Sequence, residues 1–178
     1  NMRFLRFWWE VGAIRLGLRC HNWTEALSSG STWFPYMKGG PFLKWYGNQE
    51  YVVNWRNNAE EIEACRPASV IRNPDCYFRE GVTWGDLNPT GFAVRYSPGG
   101  FVFDVKGSSG FPEPGQAQII LGLMNSSWTQ YALGMLNPTA SFQVGDISRV
   151  PVPHLLKVPL KALEHSASFT SQCVQIRL

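Results

Sequence analysis

A chain of 178 residues that is 44% hydrophobic and only 16% charged carries enough apolar side chain for one well-buried core, and this excludes wholesale disorder. Its net charge of +3 and pI near 8.8 suit an anionic partner, yet fall short of a binder held by electrostatics alone. Cys20, Cys65, Cys76 and Cys173 are scattered without a C-x-x-C pair, so reduced thiols are expected rather than a disulfide framework or a zinc site.

Arg3, Arg6, Arg15 and Arg19 stand against only Glu10 in the opening segment. Arginines inside the apolar run NMRFLRFWWEV make it neither a signal peptide nor a membrane span, and it reads as cut from within a longer polypeptide. Phe4, Leu5, Trp8, Trp9 and Ile14 recur near helical spacing and predict an amphipathic first helix. Asn22 followed by Glu25 forms a capping-box pattern that starts a short helix, which Gly30 stops. Residues 1–31 therefore read as a helical entry arm.

From Trp33 the texture changes to aromatic and β-branched runs between glycine, proline and asparagine. Strands are expected at Tyr51–Trp55, Cys76–Arg79, Phe92–Tyr96 and Phe101–Val105, with Ser97-Pro98-Gly99-Gly100 as a hairpin turn between the last two. After Pro112-Glu113-Pro114 the period becomes helical. Ile119, Ile120, Leu123 and Met124 form one helix, and Ser126 or Ser127 caps a second that carries Trp128, Tyr131, Ala132, Met135 and Leu136 and ends at Asn137-Pro138. A short strand is expected over Ser141–Val144, an extended exit at Val150–Pro153, and a final helix bearing Leu155, Leu156, Leu160, Leu163 and Phe169, interrupted by Pro159. The fold class is α+β.

No serine elbow, dinucleotide fingerprint or triphosphate loop is visible. Cation–aromatic–glycine mixtures stand out instead. Lys38-Gly39-Gly40 lets backbone N–H groups approach a phosphate beside an ammonium, or is an ordinary turn. Lys44-Trp45-Tyr46-Gly47-Asn48 offers a cation, stacking rings and an amide suited to an adenine edge, and similar mixtures recur at Arg79, at Thr83-Trp84 and at Arg95-Tyr96. Trp45, Tyr46 and Trp84 equally suit a core.

The run Trp33 to Trp55, WFPYMKGGPFLKWYGNQEYVVNW, closely resembles the PglX family of adenine-specific DNA methyltransferases from BREX phage-defence systems. So do Gly81-Val82-Thr83-Trp84, the stretch Arg95 to Asp104, Gly107-Ser108-Ser109 and the opening Asn1 to Arg6. Leu121 to Ser126, Asn137-Pro138-Thr139, Val144 to Ile147 and Val150 to Pro153 follow the ending of target-recognition domains in restriction-modification specificity subunits. The resemblance implies a strand-rich target-recognition domain over residues 32–154, braced by a helical hairpin with flanking helices, and an exit helix or truncated tail over 155–178.

Adenine methylation in that family relies on an Asn/Asp-Pro-Pro-Tyr/Phe motif, and Asn73-Pro74-Asp75, Asn88-Pro89-Thr90 and Asn137-Pro138-Thr139 all lack the second proline and the aromatic ring. The resemblance thus implies that catalysis and S-adenosylmethionine belong to an upstream domain, leaving this chain without a cofactor, metal or catalytic residue of its own. Double-stranded DNA and the catalytic domain of the same polypeptide are the implied partners, with other phage-defence proteins beside them, in a bacterial cytoplasm and away from membrane. Lys38, Lys44, Arg66, Arg72 and Lys106 are expected to neutralise phosphates. Asn48, Arg79, Arg95 and Ser108 are expected to reach or support base edges, with Gly39, Gly40, Trp45, Tyr46, Trp84, Tyr96 and Ser109 completing the surface. The alternative is a protein-interaction module that braces the methyltransferase or receives a phage DNA mimic.

Overall fold

The computed structural model describes residues 3–104, 106–152 and 160–175. Strands are β1 (Leu5–Phe7), β2 (Trp33–Met37), β3 (Tyr51–Asn54), β4 (Gly81–Gly85), β5 (Val94–Ser97), β6 (Val102–Phe103) and β7 (Gly107–Gly110). Helices are α1 (Trp23–Ser28), α2 (Arg56–Glu63), α3 (Ala117–Asn125), α4 (Ser127–Leu136), α5 (Val144–Ile147) and α6 (Leu160–Gln175), so the class is α+β. The chain forms two compact units: Asn1–Lys38, Gln49–Glu80 and Pro98–Val105 make the first, and Gly39–Asn48, Gly81–Ser97 and Lys106–Leu178 the second.

The first unit holds a four-stranded sheet in the order β1-β3-β2-β6, antiparallel except for the parallel β2–β6 pair. Its core gathers Phe34, Val53, Trp55, Tyr77, Phe78 and Val102, all buried. The helix expected over Phe4 to Ile14 is not there. Leu5, Arg6 and Phe7 pair with Val53, Val52 and Tyr51, and single 3-10 turns follow at Trp8–Glu10 and Ala13–Arg15. Phe7 lies between the rings of Trp9 and Tyr51, at 4.6 and 4.9 Å. A short aromatic run satisfies either period, and here the cross-strand stack decides for a strand.

The Asn22 half of the capping box forms, and the Glu25 half shifts by one residue. Asn22 Oδ1 accepts from the Glu25 N–H at 2.9 Å and opens α1, while the Glu25 carboxylate accepts from the His21 N–H at 2.8 Å. Gly30, at φ +63, supplies the left-handed residue after the helix. The strand expected at Cys76–Arg79 is replaced by a 3-10 turn over Pro74–Cys76, because Phe78 sits at φ 66, where no strand runs. Its backbone instead exchanges bonds with Phe101 (2.8 Å) and Gly100 (3.0 Å). Ser97 to Gly100 does turn, with Gly100 at φ +96, yet makes no hairpin: β5 pairs with β4, whereas β6 runs parallel to β2 in the first unit's own sheet.

The second unit holds an antiparallel sheet in the order β5-β4-β7. The helical hairpin α3–α4 forms as expected: Ser126 ends α3 and its Oγ accepts from the Thr129 N–H at 3.3 Å to cap α4. Helix α3 packs on β4 and β5 on one side and against α6 on another. Gly122 permits that second approach, because a Cβ there would lie 2.8 Å from Thr170 Oγ1. The core comprises Val82, Trp84, Phe92, Val94, Leu121, Leu133, Phe142 and Val174. At the expected strand Ser141–Val144, Ser141 makes one isolated bridge to Leu87 and Val144 opens α5. Leu155, Leu156, Pro153 and Pro159 lie outside the described residues, and α6 carries Leu163 and Phe169.

Gly134 is an exposed interior residue of α4 with open space around its Cβ position. Gly134→Ala is expected to raise stability by about 0.5–1 kcal/mol in chemical denaturation, because alanine restricts the unfolded chain and gains no clash.

Candidate nucleic-acid interface

The candidate surface is built in the second unit, where β4 and β7 end side by side with Gly85 opposite Gly107. The Gly39–Asn48 segment folds onto this end and is pinned at both extremities. At its start a Cβ on Gly39 would stand 2.8 Å from the Lys106 carbonyl oxygen, and one on Gly40 2.6 Å from Asn48 Nδ2. At Gly39 backbone therefore lies on backbone, which only glycine permits, while Gly40 lies against the Asn48 side chain. Gly85 belongs to the same cluster, its Cβ position 3.3 Å from the Gly40 carbonyl. Asn48, buried and at φ 57, donates its side-chain amide to the Pro41 carbonyl at 3.1 Å and closes the segment.

Further along, Trp45 bridges the edge of β5 beside Arg95. Its N–H donates to the Val94 carbonyl (2.9 Å), and its carbonyl accepts from the Tyr96 N–H (2.7 Å). Lys44 donates from Nζ to the Asn125 carbonyl at 3.1 Å, placing an ammonium at the C-terminal end of α3 where the helix dipole favours it. Asn125 binds β5 in turn. Its Oδ1 accepts from the Val94 N–H at 3.1 Å, and its Nδ2 donates to the carbonyls of Val94 (2.8 Å) and Leu121 (3.2 Å).

The expected site residues thus fall into distinct settings. Gly39, Gly40, Asn48, Lys106 and Ser108 converge at the β4–β7 end, with Gly40 and Lys106 exposed. Ser108 donates its hydroxyl to Asp86 Oδ1, and its carbonyl accepts from Thr83 Oγ1 at 3.0 Å. Ser109 donates to the Gly107 carbonyl at 3.1 Å. Trp45, Tyr46 and Tyr96 are half-buried against the second unit's core, and Trp84 lies in it with its indole N–H donating to the Phe142 carbonyl at 2.8 Å. Arg95 is 1% exposed. Such a side chain supports the surface from beneath rather than touching a solvent-borne base.

Lys38, Arg66, Arg72 and Arg79 belong to the first unit. Arg66 grips the Glu63 carboxylate with both Nε (2.5 Å) and Nη2 (2.8 Å), a pairing that raises its already high pKa and spends its fork. Arg72 and Arg79 are exposed, and Lys38 lies with Nζ 4.8 Å from the Tyr51 ring centre. Gly85, Asp86 and the 72% exposed Leu87 join the β4–β7 end without having been singled out in the sequence. The cross-strand partner of Gly107 was their signal, and it exists only once strands are paired. The second unit also carries the whole excess of charge: Lys44, Arg95, Lys106, Arg149, Lys157, Lys161 and Arg177 stand against Asp86, Glu113, Asp146 and Glu164.

The chain is 40% identical over 176 residues to the adenine-specific methyltransferase BrxX of Escherichia coli O9:H4 (strain HS), a match covering 95% of the chain and 14% of that protein. It is 36% identical over 159 residues to the adenine-specific methyltransferase PglX of Lacticaseibacillus casei (strain Zhang), covering 85% of the chain and 13% of that protein. The chain is homologous to a segment of the BrxX and PglX adenine-specific methyltransferases. It therefore spans about one seventh of the length of either relative. No family model matches it. The BrxX match extends over nearly all of the chain and so takes in both units, including the glycine-floored loop and the helical hairpin. Among the described residues no helix is long and apolar enough to cross a membrane.

Proposed function

We propose that this segment selects the DNA sequence at which an adenine-N6 methyltransferase of a phage-defence system acts, the methyl transfer itself belonging to parts of the enzyme outside it. The observation that carries the reading is the β4–β7 end: a glycine-rich loop seated backbone on backbone, an exposed Lys106 beside it, and all of the chain's excess positive charge in the same unit. Homology to adenine-specific methyltransferases, together with the lack of any Asn/Asp-Pro-Pro-Tyr/Phe motif, points in the same direction. In this reading Lys106, Gly39 and Gly40 meet the phosphate backbone and the flanking loops reach base edges, while Asn48, Ser108 and Arg95 hold those loops in shape. S-adenosylmethionine is held by the catalytic part, and the whole enzyme works in the bacterial cytoplasm on double-stranded DNA.

Binding of a fluorescent duplex, followed by anisotropy as salt is raised, tests this. Affinity is expected to fall with a log–log slope of about −0.9 per neutralised phosphate, and Lys106→Glu should flatten that slope by about one unit. A slope near zero, or one that Lys106→Glu leaves alone, defeats the reading. Exchanging residues 33–110 for those of a relative should change the methylated motif read from the methylome.

A second reading rests on the first unit. Trp8, Trp9, Ile14 and Leu18 are 53%, 56%, 95% and 60% exposed within one short segment, and Arg15 and Arg19 stand among them. Such an apolar patch with a basic rim favours contact with another protein surface, including that of the methyltransferase itself or of other phage-defence proteins.

A further inference from the structure

A cavity of about 320 Å³ in the first unit is lined by residues that the proposed DNA contacts do not use. Register explains its floor. Tyr36 pairs with Tyr51 and Val102, and Phe34 with Val53, which pairs in turn with Leu5, so these side chains share one face of the sheet. Two residues beyond Tyr36 and Val102 come Lys38 and Asp104, which line the same cavity; the ladder reaches them through the Asp104 N–H, which donates to the Met37 carbonyl at 3.0 Å. Ile62, Ala68, Ser69 and Val70 close it from the other side, where the Ser69 hydroxyl, donated to the Ile62 carbonyl, holds the wall together.

The polar end is unusual. Among the described residues no ion pair joins Lys38 to Asp104, although both face one space. Lys38 rests over the Tyr51 ring, and Asp104 accepts a hydrogen bond from the Tyr36 hydroxyl; burial and the Asp104 charge push the Tyr36 pKa far up, so the phenol stays a donor. A carboxylate with one donor already in place keeps lone pairs for another, and an ammonium over a ring keeps protons to give. Apart from Ser69, whose hydroxyl is given to the Ile62 carbonyl, the remaining walls are aliphatic or phenyl. Opposite charges left apart beside the apolar wall of a mixed cavity match a ligand that brings both charges and a hydrocarbon body.

We propose that this cavity binds a free α-amino acid with an aliphatic side chain. Its carboxylate accepts from Lys38, its ammonium donates to Asp104, and its side chain lies among Leu5, Val53, Ile62 and Val70. The site is separate from the DNA contacts proposed above, none of which uses its lining residues, and these all belong to the first unit.

Isothermal titration of the chain with L-leucine, L-leucinamide and 4-methylpentanoate tests it, the last two lacking the carboxylate and the ammonium respectively. Leucine is expected to bind, and each truncated probe to bind at least about tenfold more weakly, the loss of one charge-assisted hydrogen bond. Lys38→Met should weaken leucine by a similar factor and leave leucinamide unchanged. Asp104→Asn should weaken leucine and leave 4-methylpentanoate unchanged. Ala68→Trp, at an exposed position on the rim, should abolish leucine binding while an unchanged circular dichroism spectrum certifies the fold. The proposal is overturned by the absence of leucine binding, by equal affinity for the three probes, or by leucine affinity that survives Lys38→Met or Ala68→Trp.

Discussion

Asn125→Ala is expected to lower the unfolding free energy by about 2–4 kcal/mol, read from urea denaturation, because it strips three hydrogen bonds from a buried junction. Val94 is 0% exposed and its N–H has the Asn125 side chain as acceptor, so truncation leaves a dry, unsatisfied donor. The Val94 carbonyl fares better, since the Trp45 N–H still reaches it. Asn125→Asp sharpens the prediction. It keeps an acceptor for Val94, loses both donations and buries a charge. Burial raises the pKa of the new carboxyl above its unfolded value, so the neutral form is favoured in the folded state, and stability lost at neutral pH should return as pH falls through that raised pKa. An Asn125→Ala protein as stable as the parent would show that α3 and β5 are held together by apolar packing alone.

Gly39→Val is the second large effect. A Cβ at Gly39 meets the Lys106 carbonyl oxygen at 2.8 Å, and a backbone oxygen has no rotamer to retreat into, so the loop must lift away from the β4–β7 end. Overpacking of this kind costs about 1–3 kcal/mol. If the loop contacts DNA as proposed, affinity for a duplex should fall by more than in Lys106→Ala, since several contacts move at once. Gly12→Ala is the control: its Cβ enters open space, and neither stability nor affinity should change. Loss of stability in Gly39→Val with unaltered DNA affinity would separate the loop's packing from any role in recognition.

These effects also show where sequence reasoning reached and where it stopped. Asn22, Glu25 and Gly30 start and stop α1 through contacts spanning a few residues, and Ser126 divides α3 from α4 in the same way. Signals of that range are complete within a window of sequence. The opening aromatic run has helical spacing yet forms β1, since what decides it is Tyr51, far along the chain, stacking on Phe7. The Ser97 to Gly100 turn was legible as a turn but not as one that sends β6 to pair with β2.

The candidate site divides along the same line. Lys38-Gly39-Gly40 and Lys44 to Asn48 stand out by residue type, and their glycines lie in close contact, Gly39 with the Lys106 backbone and Gly40 and Gly47 with the side chains of Asn48 and Leu43. Residue type could not reveal that Arg95 and Trp84 would be buried while Lys106 stays exposed, because strand alternation and the packing of α3 over β5 assign those fates.

By itself, then, the sequence determined the α+β class, the helix caps, the helical hairpin and the kinship with adenine-specific methyltransferases, all carried by local pattern or by residue identity. Tertiary structure alone decided which strands pair, which arginine is buried, how glycines bring Gly39 onto Lys106, and that Lys38 and Asp104 share a cavity. Those depend on contacts between residues distant in the chain, whose free energy exists only when both partners are in place.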